Sequence, residues 1–190
     1  MLRVIILFLC MPLLTDLAFG ERSANPVYVI SVMQEQTPLG DITIELFPDK
    51  APLHCKNFDS LVVLKFYDGT AFHRIDPDFM IQGGDPNSKD PSKSPDTWGF
   101  GRPDQTKVHA EFNDYSHVRG TLSAARGEDK HSADSQFFIC VKDSEFLDGE
   151  YSAFGTVKSG MEIVDIIATS PRDKATERPL KKITMTIKKQ

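Results

Sequence analysis

From Val27 onward, apolar and polar positions alternate in short runs. VYVISVM reads as a first strand, and DITIELF, after Leu39-Gly40, as a second with Ile42, Ile44 and Leu46 on one side; period two marks a half-buried strand. Pro48-Asp49 closes that run and the spacing changes. In APLHCKNFDSLVVL, the positions Leu53, Phe58, Leu61 and Val62 fall near the helical period, so a helix is expected before Asp68-Gly69, with Asp49 as its candidate cap. TAFHRI, FMIQ, GTLSAA, SQFFICV, SAFGTV and the closing KKITMTIKK continue the strand pattern, and GMEIVDIIATS places Ile163, Ile166 and Ile167 on one face of a second helix. Between FMIQ and GTLSAA, an irregular segment from Gly83 to about Val118 is rich in Gly, Pro, Asp and Ser. A stretch of that length inside a compact domain is functional or disordered as a rule; Trp98, Phe100, Phe112 and Tyr115 argue for an ordered loop folded back on the body. Many short strands with two helices, and no internal repeat, predict a mostly β fold: a closed antiparallel barrel with a helix at each end.

The first residues break this pattern. MLRVIILFLCMPLLTDLAFG carries Arg3, an apolar run from Val4 to Leu14, and Ala18-Phe19-Gly20 at its end, which is the layout of a secretory signal peptide. The run is shorter than the roughly 18 residues of a spanning helix, and Pro12 interrupts it. The expected organisation is a signal peptide over residues 1–20, a short lead over 21–26 and one domain over 27–190; retention as an uncleaved anchor is the alternative. Removal of the signal would leave an exported chain without stable membrane insertion, periplasmic or secreted, or else resident in a secretory-pathway lumen. No Asn-x-Ser/Thr acceptor occurs to choose between these compartments.

Composition narrows the classes further. A chain of 190 residues supports one core rather than two. A net charge of -5 and a pI near 5.5 argue against a nucleic-acid partner, which calls for a clustered basic surface. The only basic run, KKITMTIKK, alternates Ile183, Met185 and Ile187 with polar residues and reads as a terminal strand with solvated lysines. Beyond the signal, two cysteines remain. Cys55 in a helical pattern and Cys140 in a strand are read as buried free thiols, because two do not make a disulfide scaffold. Nothing demands more than a monomer.

The densest chemistry lies in FHRIDPDFMIQGGDP, Phe72 to Pro86: a cation, a primary amide, several large apolar side chains and a glycine pair. Gly83-Gly84-Asp85 lacks the spacing of a phosphate loop. The five histidines show no zinc-ligand spacing, so neither a metal nor any other cofactor is expected. Ser123 and Ser135 lie in no G-x-S-x-G elbow, and Cys140 is embedded in FFICV, where a thiolate would be poorly supported. On residue types alone, Arg74 pairs with Asp76, Phe79, Met80 and Phe138 belong to a core, and Gln82 satisfies a strand end.

At the level of ordered motifs, the stretch resembles the signature of the cyclophilins, and SQFFICV, FLDGEYSAFGTV and GMEIVDII resemble that family's later landmarks in the same order, from about Val27 to Ile187. The resemblance implies an eight-stranded antiparallel barrel capped by two helices, and peptidyl-prolyl cis-trans isomerase activity on Xaa-Pro segments of unfolded or partly folded proteins. It implies catalytic roles for Arg74 and Gln82, and a substrate surface of Phe79, Met80, Ala125, Arg126, Phe138, Phe146, Leu147 and Tyr151. A proline-binding module without turnover, using the same groove, is the alternative.

This chemistry needs no nucleophile. The peptide bond resists rotation by roughly 18 to 20 kcal/mol, and exchange before proline takes tens to hundreds of seconds. A rate gain of about 10⁵ needs roughly 7 kcal/mol. A guanidinium that donates to the prolyl nitrogen as the bond twists, an apolar pocket for the ring and polar contacts to the flanking backbone together supply it. Two positions depart from the family pattern. Phe146 replaces the Trp that precedes Leu-Asp-Gly in the best-known members, which removes an indole donor used by cyclosporin-class inhibitors, and Tyr151 replaces a His. Asp76 and Asp78 add carboxylates beside the signature, with Asp76 a possible competitor for Arg74. The charged loop GEDKHSA, Gly127 to Ala133, resembles bacterial members.

Overall fold

The computed structural model describes residues 24–190; the expected signal segment and the first residues of the lead lie outside them. Eight strands follow in order: β1 (Val27–Gln34), β2 (Thr37–Leu46), β3 (Phe72–Ile75), β4 (Met80–Gly83), β5 (Thr121–Ala124), β6 (Phe137–Cys140), β7 (Ala153–Ser159) and β8 (Ile183–Lys189). Helix α1 (Pro52–Val63) lies between β2 and β3, and α2 (Met161–Ala168) between β7 and β8. The strands form one antiparallel sheet in the order β3-β4-β6-β5-β7-β2-β1-β8. Its outer strands meet through a bridge from Ala71 to Thr184, with Met185 N donating to Thr70 O at 2.9 Å and Gly69 N to Met185 O at 2.9 Å. The barrel is thereby nearly closed, and short edge contacts replace an exposed edge.

Alternation sets the interior. Ile42, Ile44 and Leu46 of β2, Ile30 and Val32 of β1, and Ile183, Met185 and Ile187 of β8 are buried, while their neighbours face out. The ring of Phe58 on α1 meets Tyr28, Tyr67, Phe137 and Phe154 at centroid distances of 5.4, 5.1, 5.8 and 5.8 Å, so the helix closes over an aromatic layer.

Three helix expectations change. The α1 cap is Ala51 rather than Asp49, and the first-turn amides of Leu53 and His54 instead donate to the Glu111 carboxylate, each at 2.9 Å. Glu111 lies far along the chain on the long loop, where no local pattern marks it; its negative charge suits the helix N-terminus. Leu53 and Ile166 are exposed, and His54, Cys55 and Val164 take buried positions in their place.

The long loop is ordered, with one-turn 3-10 helices at Pro86–Lys89 and Pro95–Thr97. Its anchor is Asp85, fully buried, whose carboxylate accepts from the amides of Asn87, Gly99 and Gly101. His73, buried beside Arg74 in β3, faces this loop near Gly99. The glycine pair has a steric cause. A Cβ at Gly83 would lie 2.6 Å from Met185 Cε, and at Gly84, where φ is +89°, it would lie 2.7 Å from Ser135 O.

Candidate active site

The strand register gathers the candidate residues on the outer face of the barrel. Arg74 of β3 stands opposite Gln82 of β4, which stands opposite Phe138 of β6; Met80 stands opposite Cys140. Paired residues share a face, and residues two apart on a strand do so as well. The intervening row, Ile81 opposite Ile139 and Ile139 opposite Leu122, points into the barrel and is fully buried.

On the outer face, Met80, Ala125, Phe138, Cys140 and Leu147 form an apolar cluster distinct from the barrel core, with Phe79 and Tyr151 packed against it. Tyr151 meets Phe138 edge-on at 5.7 Å, and Phe146 lies at the rim, 72% exposed, with its ring 5.6 Å from that of Phe79. Seven of the eight substrate-surface candidates thus fall in or against one apolar cluster, and the eighth, Arg126, lies over the Tyr151 ring. Beneath the cluster, His117 stacks on Phe138 at 6.1 Å. Its Nδ1 lies 2.7 Å from Asp148 Oδ1 and its Nε2 2.9 Å from Ser123 Oγ. A carboxylate only accepts, so Nδ1–H donates to Asp148, and Nε2 lies within hydrogen-bond distance of the Ser123 hydroxyl. Burial pushes the Cys140 thiol up to about 12, so it serves as an apolar filler rather than a nucleophile.

The polar partners differ from those expected on residue types. Arg74 does not pair with Asp76: its Nε donates to Glu177 Oε2 at 2.6 Å, and its Cζ stands 5.9 Å from the centre of the Phe79 ring. Asp76 is turned elsewhere, accepting from the amide of Asp78 and lying 3.8 Å from Arg172 Nη2, while Asp78 pairs with Lys142. The terminal nitrogens of Arg74 keep no protein partner among the described residues, and its side chain is 42% exposed.

Gln82 Nε2 donates to Gln136 Oε1 at 3.2 Å, and Gln136 Nε2 donates to Gly99 O at 3.1 Å, which ties the strand amide to the long loop. A cavity of about 300 Å³ opens alongside, lined by Gln82, Gly99, Phe100, Ala125, Arg126 and Gln136 among others. Arg126 folds back to donate to the carbonyls of Glu150, Gly127 and Glu128 and lies over the Tyr151 ring at 4.5 Å. It braces the wall rather than projecting a free charge into the groove.

Sequence reasoning missed Gln136, His117 and Glu177. Gln136 precedes the FFIC run, where alternation would have put it on the Phe138 face; Glu177 sits in a charged loop with no periodic signal.

An outer-face apolar cluster thus lies beside a partly exposed guanidinium and a tethered amide, on a nearly closed eight-stranded barrel with two helices. The family of cyclophilin type peptidyl-prolyl cis-trans isomerase/CLD matches residues 30–189, and the chain belongs to it. It is similar to the peptidyl-prolyl cis-trans isomerase of Acinetobacter baylyi, 40% identical over 83% of this chain and 86% of that one, and to a probable peptidyl-prolyl cis-trans isomerase of Brucella suis, 41% identical over 78% of each. Among solved structures it resembles a cyclophilin type isomerase of Cryptosporidium parvum at TM-score 0.73 and 29% identity, covering 87% of this chain and 98% of that one. The same protein, solved in the presence of the dipeptide Ala-Pro, matches at TM-score 0.69 and 31% identity, over 85% and 96%. The enzyme class is therefore peptidyl-prolyl isomerase.

Proposed function

We propose that this isomerase turns Xaa-Pro bonds of exported, partly folded proteins, with Arg74 as its central catalytic group. The observation that carries this reading is the placement of an exposed guanidinium next to a buried apolar cluster on one face. The prolyl ring enters the patch of Met80, Phe138 and Leu147, with Phe79 and Tyr151 as walls. The terminal nitrogens of Arg74 then donate to the prolyl nitrogen as its lone pair leaves conjugation, a bond available mainly in the transition state. Gln82, held by Gln136, and the backbone at Ala125-Arg126 fix the flanking peptide while the other side rotates. Apolar walls exclude water and strengthen the Arg74 contact.

A proline-containing ligand is supported by the Ala-Pro dipeptide in the Cryptosporidium study. Export is supported by the signal-like layout of residues 1–20. Among the described residues no helix is long and apolar enough to cross a membrane.

Two-dimensional NMR exchange on a short Xaa-Pro peptide tests the catalytic assignment. Wild-type chain should accelerate exchange, and a folded Arg74→Ala variant should lose about 10²-fold or more of kcat/KM. Undiminished acceleration in the variant would remove Arg74 from the mechanism. Sequencing the mature N-terminus tests export, which requires a start at or near Glu21 and would be refuted by an intact Met1 in the native cell.

A further inference from the structure

Arg74 takes its orientation from a residue outside the signature. Glu177 lies in the turn between α2 and β8, and its Oε2 accepts from Arg74 Nε at 2.6 Å. That bond uses Nε and leaves the two terminal nitrogens without a protein partner among the described residues, on a side chain whose strand position stands opposite Gln82, which in turn stands opposite Phe138.

The carboxylate is itself held. Glu177 O accepts from Ile75 N at 2.8 Å, which ties the turn to the residue next to Arg74. Asp173 Oδ1 accepts from the amides of Ala175 and Thr176 at 2.8 Å each, and Asp173 N donates to Arg178 O at 2.9 Å. Arg172 bridges to Pro179 across the base of the turn. Glu177 adopts φ +56°, the left-handed region that glycine fills without cost and a residue with a Cβ does not. The backbone here would accept glycine more readily than glutamate.

We infer that Glu177 is a positioning residue for the isomerase reaction, holding the Arg74 guanidinium in the plane that meets the twisting prolyl nitrogen. The inference rests on the role assigned to Arg74 above. Glu177 touches no substrate; it reduces the freedom of a side chain that would otherwise sweep through several rotamers, and its effect falls on the transition state, where the Arg74 bond forms.

The backbone conformation makes the test sharp. Glu177→Gly removes the carboxylate and relieves the left-handed strain together, so the melting temperature should hold or rise while kcat falls about tenfold with KM within twofold. Glu177→Gln keeps the length and one acceptor oxygen and should retain most of kcat. In an Arg74→Ala background, Glu177→Gly should cause no further loss. A purely structural role predicts a fall in melting temperature without a kcat effect. Unchanged kcat in Glu177→Gly, a rise in kcat, or losses that multiply in the double variant would each overturn the inference. Full activity in Arg74→Ala alone would overturn the Arg74 assignment instead, so the two failures are distinct.

Discussion

Phe146 lies across Phe79 at the mouth of the pocket, the ring centres 5.6 Å apart and the planes inclined by 34°. It is a largely exposed aromatic wall with no polar edge. Cyclosporin-class inhibitors should bind weakly, because the indole donor they use in other members is missing. Phe146→Trp should restore about tenfold or more in affinity, the size of one modest hydrogen bond of about 1.4 kcal/mol, with turnover within twofold. Calorimetric titration of both proteins decides the point, and low-nanomolar binding to the unaltered chain would refute it.

His117 supports Phe138 from below. Truncation to His117→Ala removes the stacked ring and leaves Ser123 without its partner in a buried site. A stability loss of about 2–4 kcal/mol is expected, together with a several-fold rise in KM for Xaa-Pro peptides as the pocket floor loosens. Urea unfolding and steady-state kinetics measure the two effects separately.

Burial, partly opposed by the nearby Asp85, lowers the His73 imidazole to about 4 from its ordinary 6.5. Between those values the unfolded chain binds the proton and the folded chain does not. Stability is therefore full above about pH 6.5 and declines as the pH falls toward 4, by roughly 3 kcal/mol for this group. His73→Leu should flatten that part of a melting-temperature profile; a slope unchanged by the substitution would assign it to other groups.

Cys55 and Cys140 are both free, buried and pushed up to about 12 by burial. Neither should react with a thiol reagent at pH 8 in the native state, and both should react in denaturant. Rapid native labelling, located by peptide mass mapping, would show that the barrel opens near them.

Gly84→Ala meets both a left-handed backbone and the Ser135 carbonyl. Its expected cost is about 2–4 kcal/mol, read as a lowered urea midpoint.

The strands were legible because interior and exterior alternate cleanly: Ile42, Ile44 and Leu46 announce β2, and Ile183, Met185 and Ile187 announce β8. Alternation could not separate Ile81 from Met80, since both are buried, one in the barrel and one in the outer cluster. The outer-face candidates came from a family resemblance, and the register then explains their grouping. What stayed hidden were contacts spanning long sequence separations. Glu111 at the start of α1 and Glu177 on Arg74 are carboxylates in charged loops, where a solvated residue and a structural one look alike in sequence.

Because the pocket cluster is separate from the barrel core, a side chain such as Leu147 or Tyr151 can be exchanged without disturbing the aromatic layer around Phe58. An exchange there is expected to alter prolyl turnover while the packing of the barrel interior stays as it is. A selection for soluble expression alone would leave the groove free to drift, and only an assay that reads prolyl turnover would notice.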